Sequence, residues 1–134
     1  CNDTKISVNN ELAGDPTETA LIDMGFKLNF DPTIYGRFER VGEIPFDSDR
    51  KLMTTVNEVN GKYIVYTKGG VDELLRRCNS YILNGEIRNN LPEYTNTIYE
   101  NNEQMAKNAL RVLACAYKEL DHKPTDEEVK KGVI

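Results

Sequence analysis

A chain of 134 residues, 39% hydrophobic and 29% charged, has the profile of one globular domain, and its formal net charge of −5 argues against nucleic acid or an anionic membrane surface as partner. The acidic balance leaves room for a nucleotide, whose phosphates need only a local group of cations. No apolar run approaches the ~20 residues that span a bilayer, Cys1-Asn2-Asp3 has no signal-peptide character, and three distant cysteines with one histidine exclude a disulfide frame, a Cys-x-x-Cys zinc site and most Ser-His or Cys-His catalytic pairs.

In chain order, Cys1 to Leu12 is polar and reads as a linker or an edge strand. Gly14-Asp15-Pro16-Thr17-Glu18 then opens a helix, with Asp15 as N-cap, Pro16 at the first position and Glu18 at the capping-box position. Gly25 is the expected stop. Asp31-Pro32 is expected to open a short helical piece ending near Gly36. Phe38 to Phe46 is strand-like, and Pro45 suits the point where a strand enters or leaves a sheet. Leu52 to Val59 and Lys62 to Thr67 are β-rich arms in near alternation, and Asn60-Gly61 between them is the signature of a type I′ hairpin. Pairing the arms gathers Phe46, Arg50 and Lys51 near Lys68, Gly69 and Gly70.

Val71 to Arg77 reads as a helix directly after the double glycine. Ser80 to Leu83 and Glu86 to Arg88 form a second hairpin at Asn84-Gly85. Pro92 opens a longer helix carrying Tyr94, Ile98, Met105 and Ala109. Leu110 to Tyr117 is expected to be a buried strand with Arg111 as its single cation and Cys115 as a small core residue. Asp121 to Lys131 is charged and expected to fray, with His122 on the surface. The prediction is therefore a single α+β domain over 1–134, an antiparallel sheet of about six strands flanked by helices, with linker-like ends at 1–12 and 121–134. Neither common phosphate loop, Gly-x-x-x-x-Gly-Lys-Ser/Thr or Gly-x-Gly-x-x-Gly, occurs.

Each candidate site residue also has a plain structural explanation. Asp15 and Glu18 have the spacing of a capping box, which accounts for both without a ligand. A phenylalanine at a strand end, such as Phe46, is more often core. Lys68 would be an ordinary strand lysine were it not followed by two glycines and a helix start, a geometry that admits a phosphate or a ring at close range. A buried Arg111 would need a partner, which an internal carboxylate supplies as well as a phosphate does.

Together these stretches resemble a known family. Gly14-Asp15-Pro16-Thr17-Glu18-Thr19-Ala20-Leu21, Pro45-Phe46-Asp47-Ser48-Asp49-Arg50-Lys51-Leu52-Met53, Thr67-Lys68-Gly69-Gly70 and Arg111-Val112-Leu113-Ala114 are similar, in this order, to motifs of the nucleotide-binding N domain of P-type cation-transporting ATPases of the calcium-pump branch. The resemblance implies a cytoplasmic domain of a bacterial membrane pump that holds Mg-ATP for an aspartate in a separate phosphorylation domain. In that picture Phe46 stacks on adenine, Lys68, Gly69 and Gly70 form the base of the pocket, Glu18 lies near adenine with Asp15 close by, Leu113 joins the site, and Arg111 reaches the phosphates. Ser48 falls where animal reticulum pumps carry a phosphate-binding arginine, so Arg50 or Lys51 is expected to supply that charge. Gly70 replaces an alanine common in the family. The resemblance further implies that Mg²⁺ is held mainly by the phosphorylation domain, that the phosphorylation and actuator domains are partners in the same polypeptide, and that the isolated domain is monomeric. The Asp-Lys-Thr-Gly-Thr phosphorylation motif is absent from this sequence, so the domain is expected to bind ATP without hydrolysing it. The competing expectations are a stand-alone ATP hydrolase and an interaction module with no purine preference.

Overall fold

The computed structural model describes residues 1–31, 34 and 36–130, the last without its side chain. The chain divides into two compact units, Cys1–Glu39 and Arg40–Ile134. No helix among the described residues is long and apolar enough to cross a membrane.

In the first unit the polar opening stretch contains a small antiparallel ribbon, β1 (Lys5–Ile6) against β2 (Leu12–Ala13). The ribbon is tied to α1 (Pro16–Lys27) by side-chain bonds. Asn2 Nδ2 donates to the Glu18 carbonyl, and the Asp3 N–H donates to the Glu18 carboxylate, each at 2.9 Å. Helix α1 starts as its sequence dictates: Asp15 Oδ1 accepts from the Thr17 N–H at 2.8 Å and Pro16 takes the first helical position.

It does not stop at Gly25. The chain ends the helix in a Schellman turn, with the Phe30 N–H on the Gly25 carbonyl and the Asn29 N–H on the Phe26 carbonyl, both 3.0 Å. Asn29, at φ +59°, supplies the left-handed residue, which asparagine adopts more readily than most residues. Of the helical piece expected from Asp31 to Gly36, residues 32, 33 and 35 lie outside the described residues.

The second unit is built on a four-stranded antiparallel sheet in the order β3 (Arg40–Asp47), β4 (Leu52–Val59), β5 (Lys62–Gly69), β8 (Ala114–Leu120). Asn60 and Gly61 both have positive φ, +52° and +78°, and pair Val59 opposite Lys62 as a type I′ turn requires. A second ribbon, β6 (Tyr81–Leu83) and β7 (Glu86–Arg88), turns in the same way at Asn84-Gly85. The fold is thus α+β with antiparallel pairing throughout, its strands divided between a four-stranded sheet and two ribbons.

Strand β4 departs from the expected alternation, because Leu52, Met53, Thr54, Thr55 and Val56 are all buried. A central strand covered on both faces has no solvent side to mark with polar residues. Leu52 and Val56 are among its fully buried side chains, each worth about 1.5–3 kcal/mol of burial.

Helix α2 (Val71–Leu75) buries Val71 and Leu74 and packs on β5 and β8. Helix α3 (Leu91–Lys107) begins with Pro92 in its first turn, and its Tyr94 ring stacks on Tyr81 with centroids 4.6 Å apart.

The end of α3 corrects the reading of the apolar run that follows. Leu110 donates to the Met105 carbonyl at 3.1 Å and Ala109 to the Ala106 carbonyl at 2.9 Å, a Schellman turn with Ala109 at φ +57°. Leu110 is therefore spent on the turn, and the strand starts only at Ala114. Arg111 and Cys115 are both exposed, so neither is the buried group expected.

The charged tail is also more ordered than its composition suggests. Thr125-Asp126-Glu127-Glu128 closes a capping box at the start of α4 (Asp126–Lys130): the Glu128 carboxylate accepts from the Thr125 N–H at 2.8 Å, and the Thr125 hydroxyl accepts from the Glu128 N–H at 3.3 Å. Val129 is buried, with its Cγ2 3.4 Å from the point a Cβ on Gly42 would occupy.

Candidate functional site

The candidate site begins with an irregularity in β3. Ile44 pairs with Thr54 and Asp47 with Leu52, so Pro45 and Phe46 together oppose Met53 alone. This is a β-bulge, and it sits where a proline is permitted: β3 is an edge strand and a bulge position needs no ladder N–H. The bulge has a consequence for the ring. Phe46 is 64% exposed, so the core reading of this phenylalanine fails. Leaving a benzyl side chain in water forgoes about 1.5–3 kcal/mol of burial, which makes it the most conspicuous apolar group at this end of the sheet.

Behind the bulge the strand following β3 is held by its turn. Asp47 Oδ1 accepts from the Asp49 and Arg50 N–H groups at 2.9 and 2.7 Å, and Lys51 takes a left-handed φ of +57° before β4 begins. The Lys51 carbonyl then accepts from the Gly70 N–H at 3.0 Å, which brings the double glycine onto the turn. Gly69 is required there, since a Cβ on it would lie 2.1 Å from the Lys51 carbonyl oxygen. Gly70 is the N-cap of α2 at φ −62°, and a Cβ on it would find its first neighbour at 3.6 Å. A methyl group at Gly70 would therefore meet no clash.

Register then sorts the candidates onto two faces. Met53 pairs with Lys68 and Lys68 with Cys115, and paired residues share a face. Lys68 is 9% exposed and Met53 is buried, whereas Cys115 is open to solvent. The adjacent row, Thr54 with Thr67 and Ala116, points the other way. Arg50 belongs to that second face: its guanidinium donates to Thr54 Oγ1, which lies 3.0 Å from Thr67 Oγ1. Burial first, and then the nearby Arg77 beyond α2, lower the Arg50 pKa, while Asp47 partly offsets them. Arg50 is thereby drawn away from Lys68. Lys51 also runs toward α2, where its charge helps to hold the Glu73 carboxyl below the usual range, an effect led by the hydrogen bond from Arg77.

The remaining candidates are placed as follows. Arg111, Val112 and Leu113 form the short irregular stretch between the α3 turn and β8. Asp15 and Glu18 lie in the first unit, where Asp15 caps α1 and Glu18 receives the Asp3 N–H. Met53 was missed by sequence reasoning, although the proline-induced bulge two strands from Lys68 was a signal that could have found it. Among the described residues no group of three or more His, Cys, Asp or Glu could hold a metal ion.

The chain is similar to known proteins over nearly its whole length. The family described as P-type ATPase, cytoplasmic domain N, matches residues 1–133. The chain is 40% identical over 94% of its length to calcium-transporting ATPase 1 of Lactococcus lactis, covering 14% of that protein. It is 43% identical over 94% of its length to the calcium-transporting ATPase lmo0841 of Listeria monocytogenes, again 14% of that protein, and 36% identical over 87% to calcium-transporting ATPase 1 of Saccharomyces cerevisiae, 13% of that protein. The chain thus spans about one seventh of the length of these relatives, and by the extent of the family match it belongs to the cytoplasmic N domain family of P-type ATPases.

Proposed function

We propose that this chain is the ATP-binding domain of a cation pump of the calcium-transporting type, presenting the γ-phosphate to an aspartate in a separate phosphorylation domain. The observation that carries the reading is the bulge at Pro45-Phe46, which leaves an aromatic ring exposed at the head of the row formed by Met53 and Lys68. A purine stacks on such a ring for about 1–3 kcal/mol. Lys68 and the Gly69-Gly70 backbone provide a cation and closely approachable amides beside it. Arg111, exposed before β8, is assigned to the phosphate tail together with Lys51; Arg50 is assigned to the opposite face. Leu113 adds an apolar contact, while Asp15 and Glu18 act within the first unit, where they start α1 and hold the Asp3 amide. Mg²⁺ accompanies ATP and is assigned mainly to the phosphorylation domain. The bacterial relatives favour a plasma-membrane pump whose phosphorylation and actuator domains act as partners.

The test is a nucleotide titration followed by amide chemical shifts. Phe46→Ala should weaken ATP, ADP and AMP by similar factors, about 5- to 150-fold if the stacking is worth about 1–3 kcal/mol. Because the ring is exposed, the same variant should unfold within about 0.5 kcal/mol of the parent. Unchanged ATP affinity in Phe46→Ala would remove the ring from the site. An interaction module would bind no nucleotide at all, and a stand-alone hydrolase would release phosphate in the same tube.

A further inference from the structure

Asn-Gly occurs twice, at Asn60-Gly61 and Asn84-Gly85, and each dipeptide forms a turn with both φ angles positive. In that left-handed conformation the asparagine side chain and the glycine nitrogen lie on opposite sides of the Cα–C bond, so neither closed turn brings the two together. Both dipeptides are exposed, and a Cβ on either glycine would meet nothing within 4 Å, so access does not separate them. What holds them shut does. Asn60-Gly61 joins two strands of eight residues, which β3 and β8 flank as far as Asn57 and Tyr63. Asn84-Gly85 joins two strands of three residues that pair with no other strand among the described residues. A lone two-stranded hairpin is marginal in water. This one is held from one face: the Tyr81 ring stacks on Tyr94 of α3, while Ile82 and Ile87, paired on the other face, are 55% and 61% exposed. Its open end is tied by Ser80 Oγ donating to Asn89 Oδ1 at 3.2 Å and by the Leu91 N–H donating to the Asn79 carbonyl at 3.4 Å.

We infer that Asn84 is a site of spontaneous covalent modification in the folded chain: opening of the β6–β7 ribbon lets Asn84 cyclise onto the Gly85 nitrogen, and the isoaspartyl product releases Tyr81 from Tyr94. In the open ribbon the Gly85 nitrogen attacks Asn84 Cγ. An N–C bond forms, the Cγ–Nδ2 bond breaks, and Nδ2 leaves as ammonia with the proton given up by the Gly85 nitrogen. Water then opens the five-membered succinimide at one of its two carbonyls, giving aspartate or isoaspartate; water is the only co-reactant, and nothing is oxidised or reduced. Glycine suits the step because no side chain crowds its nitrogen. Either product places a new negative charge two residues from Glu86. Aspartate still tolerates the left-handed turn position, whereas isoaspartate lengthens the main chain by one carbon and cannot keep the register that sets Leu83 opposite Glu86. No nucleotide takes part, so the inference stands apart from the ATP-binding reading.

The experiment incubates the 134-residue chain in warm, mildly alkaline buffer and follows both dipeptides by peptide mapping with mass spectrometry, beside the same chain unfolded in urea. In urea the two sites should react at similar rates. In the folded chain the open fraction sets the rate, so Asn84 should react within about tenfold of its urea rate and Asn60 at least about a hundredfold below its own. The isoaspartyl chain, separated from unreacted chain by its charge, should lose the mutual ring-current shifts of Tyr81 and Tyr94. Freshly prepared Asn84→Asp, which carries the charge without the longer backbone, should keep them. Asn84 protected as strongly as Asn60, Asn60 reacting in the folded chain as fast as Asn84, or an isoaspartyl chain that keeps the tyrosine shifts would each overturn the inference. Loss of those shifts in Asn84→Asp as well would overturn the part given to the lengthened main chain.

Discussion

At Gly69 an added Cβ would stand 2.1 Å from the Lys51 carbonyl oxygen and 2.9 Å from Leu52 Cδ2, whereas at Gly70 it would meet nothing nearer than 3.6 Å. Backbone cannot move aside as a flexible side chain can, so Gly69→Ala must shift the turn that carries Lys51. We expect it to lose about 3 kcal/mol or more, beyond the usual range for an added methyl group in a packed site. Gly70→Ala keeps an allowed φ and restricts the unfolded chain, gaining about 0.4–1 kcal/mol, against a similar loss because alanine is a poorer N-cap than glycine. Its net effect should stay within about 0.5 kcal/mol. Urea unfolding of the two variants separates them, and equal destabilisation would show that the turn does not depend on this close approach. The residue scale also shows why the ring and the cations were hard to place from the sequence. Pro45 reads as a strand entry or exit and not as a bulge, so the exposure of Phe46 was not legible from its own pattern, and the ring was named through the family resemblance. Arg50 and Lys51 follow a turn whose path decides which face of the sheet they reach, and no local pattern encodes that; the fold sends Arg50 to Thr54.

Among the elements, those fixed by a single backbone demand were legible. Asn60-Gly61 and Asn84-Gly85 need two positive φ angles in a row, and each became a two-residue hairpin turn. Helix ends were less so. Gly25 was the expected stop, yet the Schellman bonds put the left-handed residue at Asn29, four residues on. The same motif at the end of α3 places an alanine in the left-handed region, at a cost of roughly 1–2 kcal/mol. Ala109→Gly should therefore raise stability by about 0.5–1 kcal/mol, after allowing for glycine's greater freedom in the unfolded chain, and no gain in a denaturant melt would count against the motif. In α4 the Thr125 amide and hydroxyl, then His122, hold the Glu128 carboxyl below its ordinary value. A depressed carboxylate contributes stability that is present above its unfolded pKa and lost as pH falls through the folded one. Thr125 and Val129 amide shifts should accordingly show the carboxylate step of Glu128 below the ordinary glutamate range. Thr125→Ala should move that midpoint upward. The capping box lay hidden in the sequence because it sits inside a charge run, where composition suggests fraying.

For the whole molecule the net charge of −5 and the charge of the ligand oppose each other. ATP carries more negative charge than AMP, so the field of the chain disfavours it more. At about 0.01 M salt the Debye length is about 30 Å and all charges of a domain this size act on the phosphates; at about 0.15 M it is about 8 Å and only neighbours do. Arg111 is a neighbour under the proposed assignment, and its exposed position limits it to a modest attraction. Two terms of opposite sign are thus screened together for ATP, and the purine stacking that binds AMP is screened by neither. AMP affinity should change little between the two salt concentrations. Arg111→Ala removes the attraction and leaves the repulsion, so it should weaken ATP more than AMP, with the larger loss at low salt, and ATP binding to that variant should strengthen steadily as salt is added. Titrations of both nucleotides against parent and variant at the two salt concentrations decide the matter. If Arg111→Ala weakened AMP and ATP equally at both, the phosphate tail would lie away from the stretch before β8, and Lys51 at the Gly70 turn would be the cation left to receive it.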